Sequence, residues 1–303
     1  MLTIFAIPKP FRGHFGIIQR NAIQSWVLLR PKCEVILLGD EKGTAEIASE
    51  LGTRHIPEVE RNEYGTPLVS SVFNIAQDNA NYEIMCYVNA DIILMSDFIK
   101  AVQRVTKSRF LMVGQRWDVE LAKLIDFRDP QWETWLHRYV TERGKLHAKS
   151  GIDYFVFPRG LYRDIPPFAL GRTAWDNWLI YYARSLRVPV IDTTGVIMAI
   201  HQNHDYSHHL DGMAGIWKGP EAKNNLKLAG GIRYLFSLDD ATHILTRDGL
   251  KPAFSFIHIW RRLYTLPLFC SSFLGPLRLL LDTLLKIFKT FNKAKKPFDS
   301  DNC

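Results

Sequence analysis

The first 115 residues alternate short apolar runs with segments whose apolar residues recur at helical spacing, and this constrains the fold more than any other feature. Leu2–Ile7 reads as a buried strand that stops at Pro8 and Pro10, followed by a loop to Gly16. From 17 to 29, Ile18, Ala22, Trp26 and Leu29 share one helical face. Glu34–Leu38 reads as a second strand, Thr44–Leu51 as a helix closed by Gly52, and Arg54–Ile56 as a third strand. Pro67–Ala80 predicts a helix with proline at its entrance. Residues 83–94 (EIMCYVNADIIL) predict one long strand, and Ser96 is placed to cap a helix over Asp97–Val105. Phe110–Gly114 closes the series. Strands separated by helices imply βαβ units and a mainly parallel sheet. Such sheets bind ligands at the carboxyl ends of their strands, where Asp40 and Asp91 both fall.

The pattern loosens after Arg116. Helices are expected over Gln131–Glu142 and Ala174–Ser185, and strands over Asp153–Phe157 and Val188–Ile191. An apolar run, Val196–Ile200, leads into His201-Gln-Asn-His204. Residues 1–250 are expected to form one domain, with 1–115 as its regular, ligand-binding half and 116–250 as a less regular half completing the site. Residues 251–303 are expected to form a separate basic, apolar, helical tail.

Charge supports that division. The net charge is +7, and 251–303 holds nine Lys/Arg against three acids, which leaves the first 250 residues close to neutral. A basic body would point to nucleic acid, and this one does not. A basic apolar tail points to an anionic membrane surface. Leu277–Phe291 predicts an amphipathic helix, and Pro267, Gly275, Pro276 and the charges argue against a simple span. Contact with a membrane is therefore expected through 252–296. The four cysteines match no zinc or redox spacing, and Cys33 and Cys86 are expected to be buried thiols of a reducing compartment. The opening segment lacks a basic n-region and reads as a strand rather than a secretory signal. The expected location is cytoplasmic, peripheral at the inner face of a membrane.

Several chemistries are excluded by missing motifs. The sequence has no GxxxxGK[ST], no GxGxxG after the first strand, no HExxH and no GxSxG. What it does have is Asn89-Ala90-Asp91 at the end of the fourth strand. An amide and a carboxylate at i, i+2 point to the same side of an extended segment. A carboxylate there suits a hard divalent cation, and departure of a diphosphate demands such a cation or fixed positive charge.

An apolar strand ending in a DxD-like triplet, fourth in a βαβ sheet, resembles the GT-A fold nucleotide-diphospho-sugar glycosyltransferases. Here asparagine replaces the first aspartate. The resemblance covers roughly residues 1–245 and implies a metal-dependent, inverting transfer of a sugar to an acceptor hydroxyl. It implies Mn2+ or Mg2+ as cofactor, with Asp91 as ligand and His201 or His204 completing the site. Donor binding would fall to Pro8, Lys9 and Arg12, with His14 in the same loop, and to Asp40, Asn89, Asp91 and Lys218. Asp176, in Gly171-Arg-Thr-Ala-Trp-Asp-Asn-Trp178, would be the general base, with Asp153 as second candidate. Trp175 and Trp178 would stack on sugars. The donor would be a nucleotide-diphosphate sugar, by default a UDP-sugar, and the acceptor a carbohydrate or lipid-linked molecule. Two alternatives remain: a sugar nucleotidyltransferase, disfavoured because its Gly-rich loop is missing, and a non-catalytic scaffold of the same fold at a membrane.

Overall fold

The computed structural model describes residues 1–204 and 217–269. The chain divides into two compact units, 1–253 and 254–303. In the first unit the elements run β1 (Leu2–Ala6), α1 (Gly13–Leu28), β2 (Glu34–Leu38), α2 (Thr44–Leu51), β3 (Arg54–Ile56), α3 (Val69–Asn79) and β4 (Ile84–Val88). There follow β5 (Ile92–Ile93), α4 (Ser96–Gln103), β6 (Leu111–Val113), β7 (Arg116–Val119), α5 (Trp132–Arg143), β8 (Lys145–Leu146) and β9 (Tyr154–Pro158). The series ends with α6 (Trp175–Ser185), β10 (Val190–Asp192), β11 (Ala199–Gln202), α7 (Pro220–Leu228), β12 (His243–Thr246) and β13 (Gly249–Pro252).

Nine strands form the main sheet in the order β13-β12-β10-β6-β9-β4-β1-β2-β3. Pairing is parallel for β1 with β2 and β4, for β2 with β3, and for β10 with β6 and β12. β9 runs antiparallel between β4 and β6, and β13 antiparallel to β12. The mainly parallel α/β reading therefore holds. β1 is buried along its whole length, as expected for a strand covered on both faces. β2 and β4 flank β1, so the strand order reverses beside it and a crevice opens at the carboxyl ends of β1 and β4.

The two faces of the sheet differ in composition. Ile4, Ala6, Leu37, Cys86 and Val88 face α1 and α2 in an aliphatic core that includes Ala22, Ile23, Trp26 and Ile47. The opposite face is aromatic. Phe5 meets Phe73 at 5.2 Å and Tyr87 at 5.6 Å between ring centroids, and Phe73 stacks on Phe157 at 5.7 Å. Tyr87 meets Trp175, the first residue of α6, edge-on at 5.4 Å. Period-two alternation along β1 and β4 produces both layers.

A second sheet, β5-β11-β7-β8, carries the other half of the crevice. It exists because residues 83–94 do not form one strand: β4 ends at Val88, and the amide of Ile92 bonds back to the Asn89 carbonyl at 3.0 Å. The turn at Asn89–Asp91 then starts β5, which pairs antiparallel with β11. Three other expectations also shift. α1 begins at Gly13, four residues before the predicted start, directly after Arg12, which is still extended. α3 begins at Val69, since Leu68 is held extended by a bridge to Ala169. Ser96 does not cap α4: Met95 holds that position, and the Ser96 hydroxyl donates to Glu133 at 2.7 Å. Cys33 and Cys86 are buried free thiols.

The second unit contains α8 (Phe256–Thr265) followed by a short 3-10 turn. Among the described residues no helix is long and apolar enough to cross a membrane. The predicted helix at Leu277–Phe291 lies outside the described residues.

The Trp26 indole is fully buried and donates to the Ile92 carbonyl at 2.9 Å, which ties α1 to the residue after Asp91. Trp26→Phe strands that carbonyl and should cost about 1–3 kcal/mol of unfolding free energy in urea titration. A loss below about 0.5 kcal/mol, the range of neutral surface changes, would contradict the tie.

Candidate metal and donor site

Asp91 sits in the turn between β4 and β5, at the mouth of the crevice. Its carbonyl accepts from the Gln202 side-chain amide at 3.1 Å, and the same nitrogen donates to the Ile18 carbonyl at 2.8 Å. Asn21 donates to Gln202 Oε1 at 2.9 Å. A buried amide network thus fixes the backbone from which the carboxylate projects, and none of its members was legible in the sequence.

Two histidines converge on that carboxylate. His204 Nε2 is 3.1 Å and His201 Nε2 3.8 Å from Asp91 Oδ2. His201 lies within β11, where register sets it between Ile92 of β5 and Asp118 of β7. His204 follows two residues after the strand, packed on Phe15 at 5.0 Å, and the carbonyl of its neighbour Asn203 is 2.9 Å from His14 Nε2. One ligand atom from each of Asp91, His201 and His204 falls within 4.8 Å of the others. Among the described residues, Asp91 Oδ1 is buried with no hydrogen-bond partner. A buried carboxylate oxygen left unpaired is costly, and a cation would satisfy it. One carboxylate and two imidazoles fit Mn2+ and, with water oxygens added, Mg2+.

The electrostatics hold the carboxylate ionised. Burial pushes Asp91 up, but the His204 hydrogen bond and the charges of His201 and Lys9 outweigh it and keep the group well below the usual carboxylate range. Lys9 follows β1, with its backbone clamped at both polar groups by Gln19, at 2.6 and 2.8 Å. Its ammonium stands 4.8 Å from the Phe15 ring centroid. Burial pushes Lys9 down, Asp91 opposes that, and Arg172 adds to it. A cation desolvated in this way beside the crevice is a ready partner for an anion.

A second group of carboxylates lies around Tyr87. The Asn89 amide accepts from the Tyr87 hydroxyl at 3.0 Å and donates to Asp153 Oδ1 at 2.5 Å. Asp153 Oδ2 accepts from Arg116 at 2.6 Å. Both Asp153 oxygens are therefore engaged. Asp176, in the first turn of α6, makes no ion pair among the described residues. Burial, reinforced by the Asp153 charge, pushes it up to about 7. Burial, followed by the charges of Asp91, Asp153 and Asp176, pushes the Tyr87 hydroxyl up. Ala174, two residues before Asp176, has φ +89, a strained value for alanine at the turn that aims α6.

The remaining candidates lie further out. Pro8 continues buried from β1. Asp40 follows β2, is 71% exposed, and pairs with Arg61 at 2.6 Å. Arg61, chiefly through its hydrogen bond, holds Asp40 below the usual range. Arg12 and Lys218 are exposed and make no ion pair among the described residues. Arg116, Asp118, His147, Arg172 and Glu221 were not singled out from sequence. The only signal for the first pair was a base and an acid two apart on one strand face. Arg172 and Glu221 form a buried pair at 2.6 Å.

No family model matches the sequence, and no curated protein matches it. In architecture the chain is similar to a mannosyltransferase from Pyrobaculum calidifontis solved with GDP-Man and Mn2+, at 16% identity and a TM-score of 0.42, over 66% of this chain and 56% of that one. It therefore spans little more than half of that protein. It is similar to glucosyl-3-phosphoglycerate synthase from Mycobacterium tuberculosis solved with Mg2+ and UDP, at 12% identity and a TM-score of 0.46, over 76% and 80%. S. aureus TarS 1–349 matches at 11% identity and a TM-score of 0.41, over 67% and 58%. At these values the likeness carries no functional argument, which rests on the groups described above.

The ligand set predicts a thermal signature. Mn2+ at about 100 times its dissociation constant should stabilise the folded chain by about 2.7 kcal/mol, read as a rise in Tm. Asp91→Ala and His204→Ala should abolish the rise. An equal rise in Asp91→Ala would place the cation elsewhere.

Proposed function

We propose that the protein is a metal-dependent glycosyltransferase that moves a sugar from a nucleotide-diphosphate donor to an acceptor hydroxyl with inversion. The observation that carries this reading is the convergence of Asp91, His201 and His204 on one point at the strand ends, with the half-buried Lys9 bearing on the same carboxylate. A cation bound there would offset the charge developing on the departing diphosphate.

The chain's own residues do the rest. Lys9 faces the diphosphate from the end of β1, with Arg12 and Lys218 as outer cations. Pro8 and Asp40 border the nucleoside at the ends of β1 and β2. Asn89, its amide engaged with Tyr87 and Asp153, acts by holding that carboxylate in place. Asp153 has both carboxylate oxygens engaged, one by Asn89 and one by Arg116, which leaves neither free for an acceptor hydroxyl. Asp176 is the better base: raised to about 7, it binds a proton readily yet is substantially ionised at neutral pH. It takes the proton of the acceptor hydroxyl as that oxygen attacks the anomeric carbon and the nucleoside diphosphate leaves. Trp175 closes the aromatic wall behind it.

The acceptor is a carbohydrate or a lipid-linked molecule, and we place the protein at the cytoplasmic face of a membrane. Support comes from the second unit, where Phe254, Phe256, Ile259 and Leu263 are exposed on a segment that also carries Arg261 and Arg262. Such a mix suits an anionic interface. Vesicles containing phosphatidylserine should retain the protein and release it as salt rises, whereas phosphatidylcholine vesicles should not. Salt-independent retention on both would contradict an electrostatic contact.

The reaction is tested with nucleotide sugars assayed for nucleoside-diphosphate release with and without Mn2+. Asp176→Asn should lower kcat by about 100-fold or more while donor affinity changes little. In the wild type kcat should rise with pH through about 7, because the base acts when ionised, and then level off. Equal losses in kcat and donor affinity would make Asp176 a binding residue. Release that ignores the metal would sink the proposal.

A further inference from the structure

The residue that fixes His201 lies one strand away. β11 pairs with β7 in register His201 opposite Asp118, so the contact follows from the ladder itself. His201 Nδ1 is 3.2 Å from Asp118 Oδ1, an ion-pair contact that falls short of hydrogen-bond geometry and leaves Nδ1 without another partner. The Nε2 atom of the same ring points to Asp91. Asp118 is itself held on two sides. Arg116 Nε donates to Oδ1 at 2.8 Å, and His147 Nδ1 lies 2.6 Å from Oδ2. The His147 backbone amide donates to the Arg116 carbonyl at 2.9 Å, and a side chain at Gly151 would collide with the His147 ring. The carboxylate therefore has little freedom to swing away.

An imidazole that binds a cation through one nitrogen carries its proton on the other, and a carboxylate at that second nitrogen sets the tautomer and the ring angle. Building on the metal site proposed above, we infer that Asp118 is a positioning residue. It selects the Nδ1–H tautomer of His201 and turns Nε2 toward Asp91, the orientation a cation ligand needs. Arg116 extends the connection, because the same guanidinium that holds Asp118 also holds Asp153. One side chain on β7 thereby links His201, through Asp118, to Asp153.

The test is a double-mutant cycle on Mn2+ binding, read by the EPR signal of free Mn2+ with no nucleotide or substrate present. Asp118→Asn should weaken binding by about 10- to 100-fold, with Asp118→Glu recovering part of the loss. In a His201→Ala background, Asp118→Asn should change affinity by less than about threefold, because its effect passes through the missing ring. Thermal unfolding of each variant establishes that it is folded at the titration temperature. Unchanged Mn2+ affinity in Asp118→Asn would overturn the inference and leave the metal site standing. An undiminished loss in the His201→Ala background would also overturn it, reducing Asp118 to bulk charge. Failure of the wild type to bind Mn2+ would instead remove the metal site on which both readings rest.

Discussion

A carboxylate forced to stay ionised in a buried turn is the constraint around which this structure is arranged. Burial alone would protonate Asp91. Two imidazoles and one ammonium prevent it, and each arrives from a different part of the chain: Lys9 from the end of β1, His201 from β11, His204 from just beyond it. To bring them together the chain must break what reads as one long strand after Val88 and use its second half, β5, to seed a separate sheet. The break costs main-sheet ladder bonds beyond Val88. It gains a site in which one carboxylate oxygen is left without a protein donor.

The aromatic face of the main sheet does comparable work for the second group of carboxylates. Phe5, Phe73 and Phe157 form a rigid layer, Tyr87 and Trp175 extend it, and Asp176 follows Trp175 directly. The acid with the raised pKa is therefore positioned by packing, while its neighbour Asp153 is fixed by ion pairing with Arg116. Two carboxyl groups thus acquire different surroundings: one is held in an ion pair, and the other is raised by burial to exchange a proton near neutrality. That separation is what a general base beside a structural acid requires.

Much of this was legible in the sequence, for identifiable reasons. β2, α2 and β3 fall at the predicted residues because apolar runs and Gly52 mark their ends without ambiguity. Asp91, His201 and His204 could be named because each lies at the end of an apolar run, where strands meet solvent. The break at Asn89–Asp91 was not readable, since an apolar stretch carries no sign of which ladder it joins. Asp118 and His147 were hidden for a related reason. Their roles depend on the register of short strands, and register is set by pairing partners more than 25 residues away along the chain. The amide network of Asn21 and Gln202 is invisible to any pattern of hydrophobicity, because both are polar residues buried by the fold.

The central claim is that Asp91 and two histidines form a cation site at the carboxyl ends of β1 and β4. Anomalous diffraction at the manganese edge, from crystals soaked in Mn2+, addresses it directly. The account predicts a peak in bonding contact with a carboxylate oxygen of Asp91 and with Nε2 of His201 and His204. Full-occupancy manganese elsewhere, with these three side chains bonded only to one another, would contradict it.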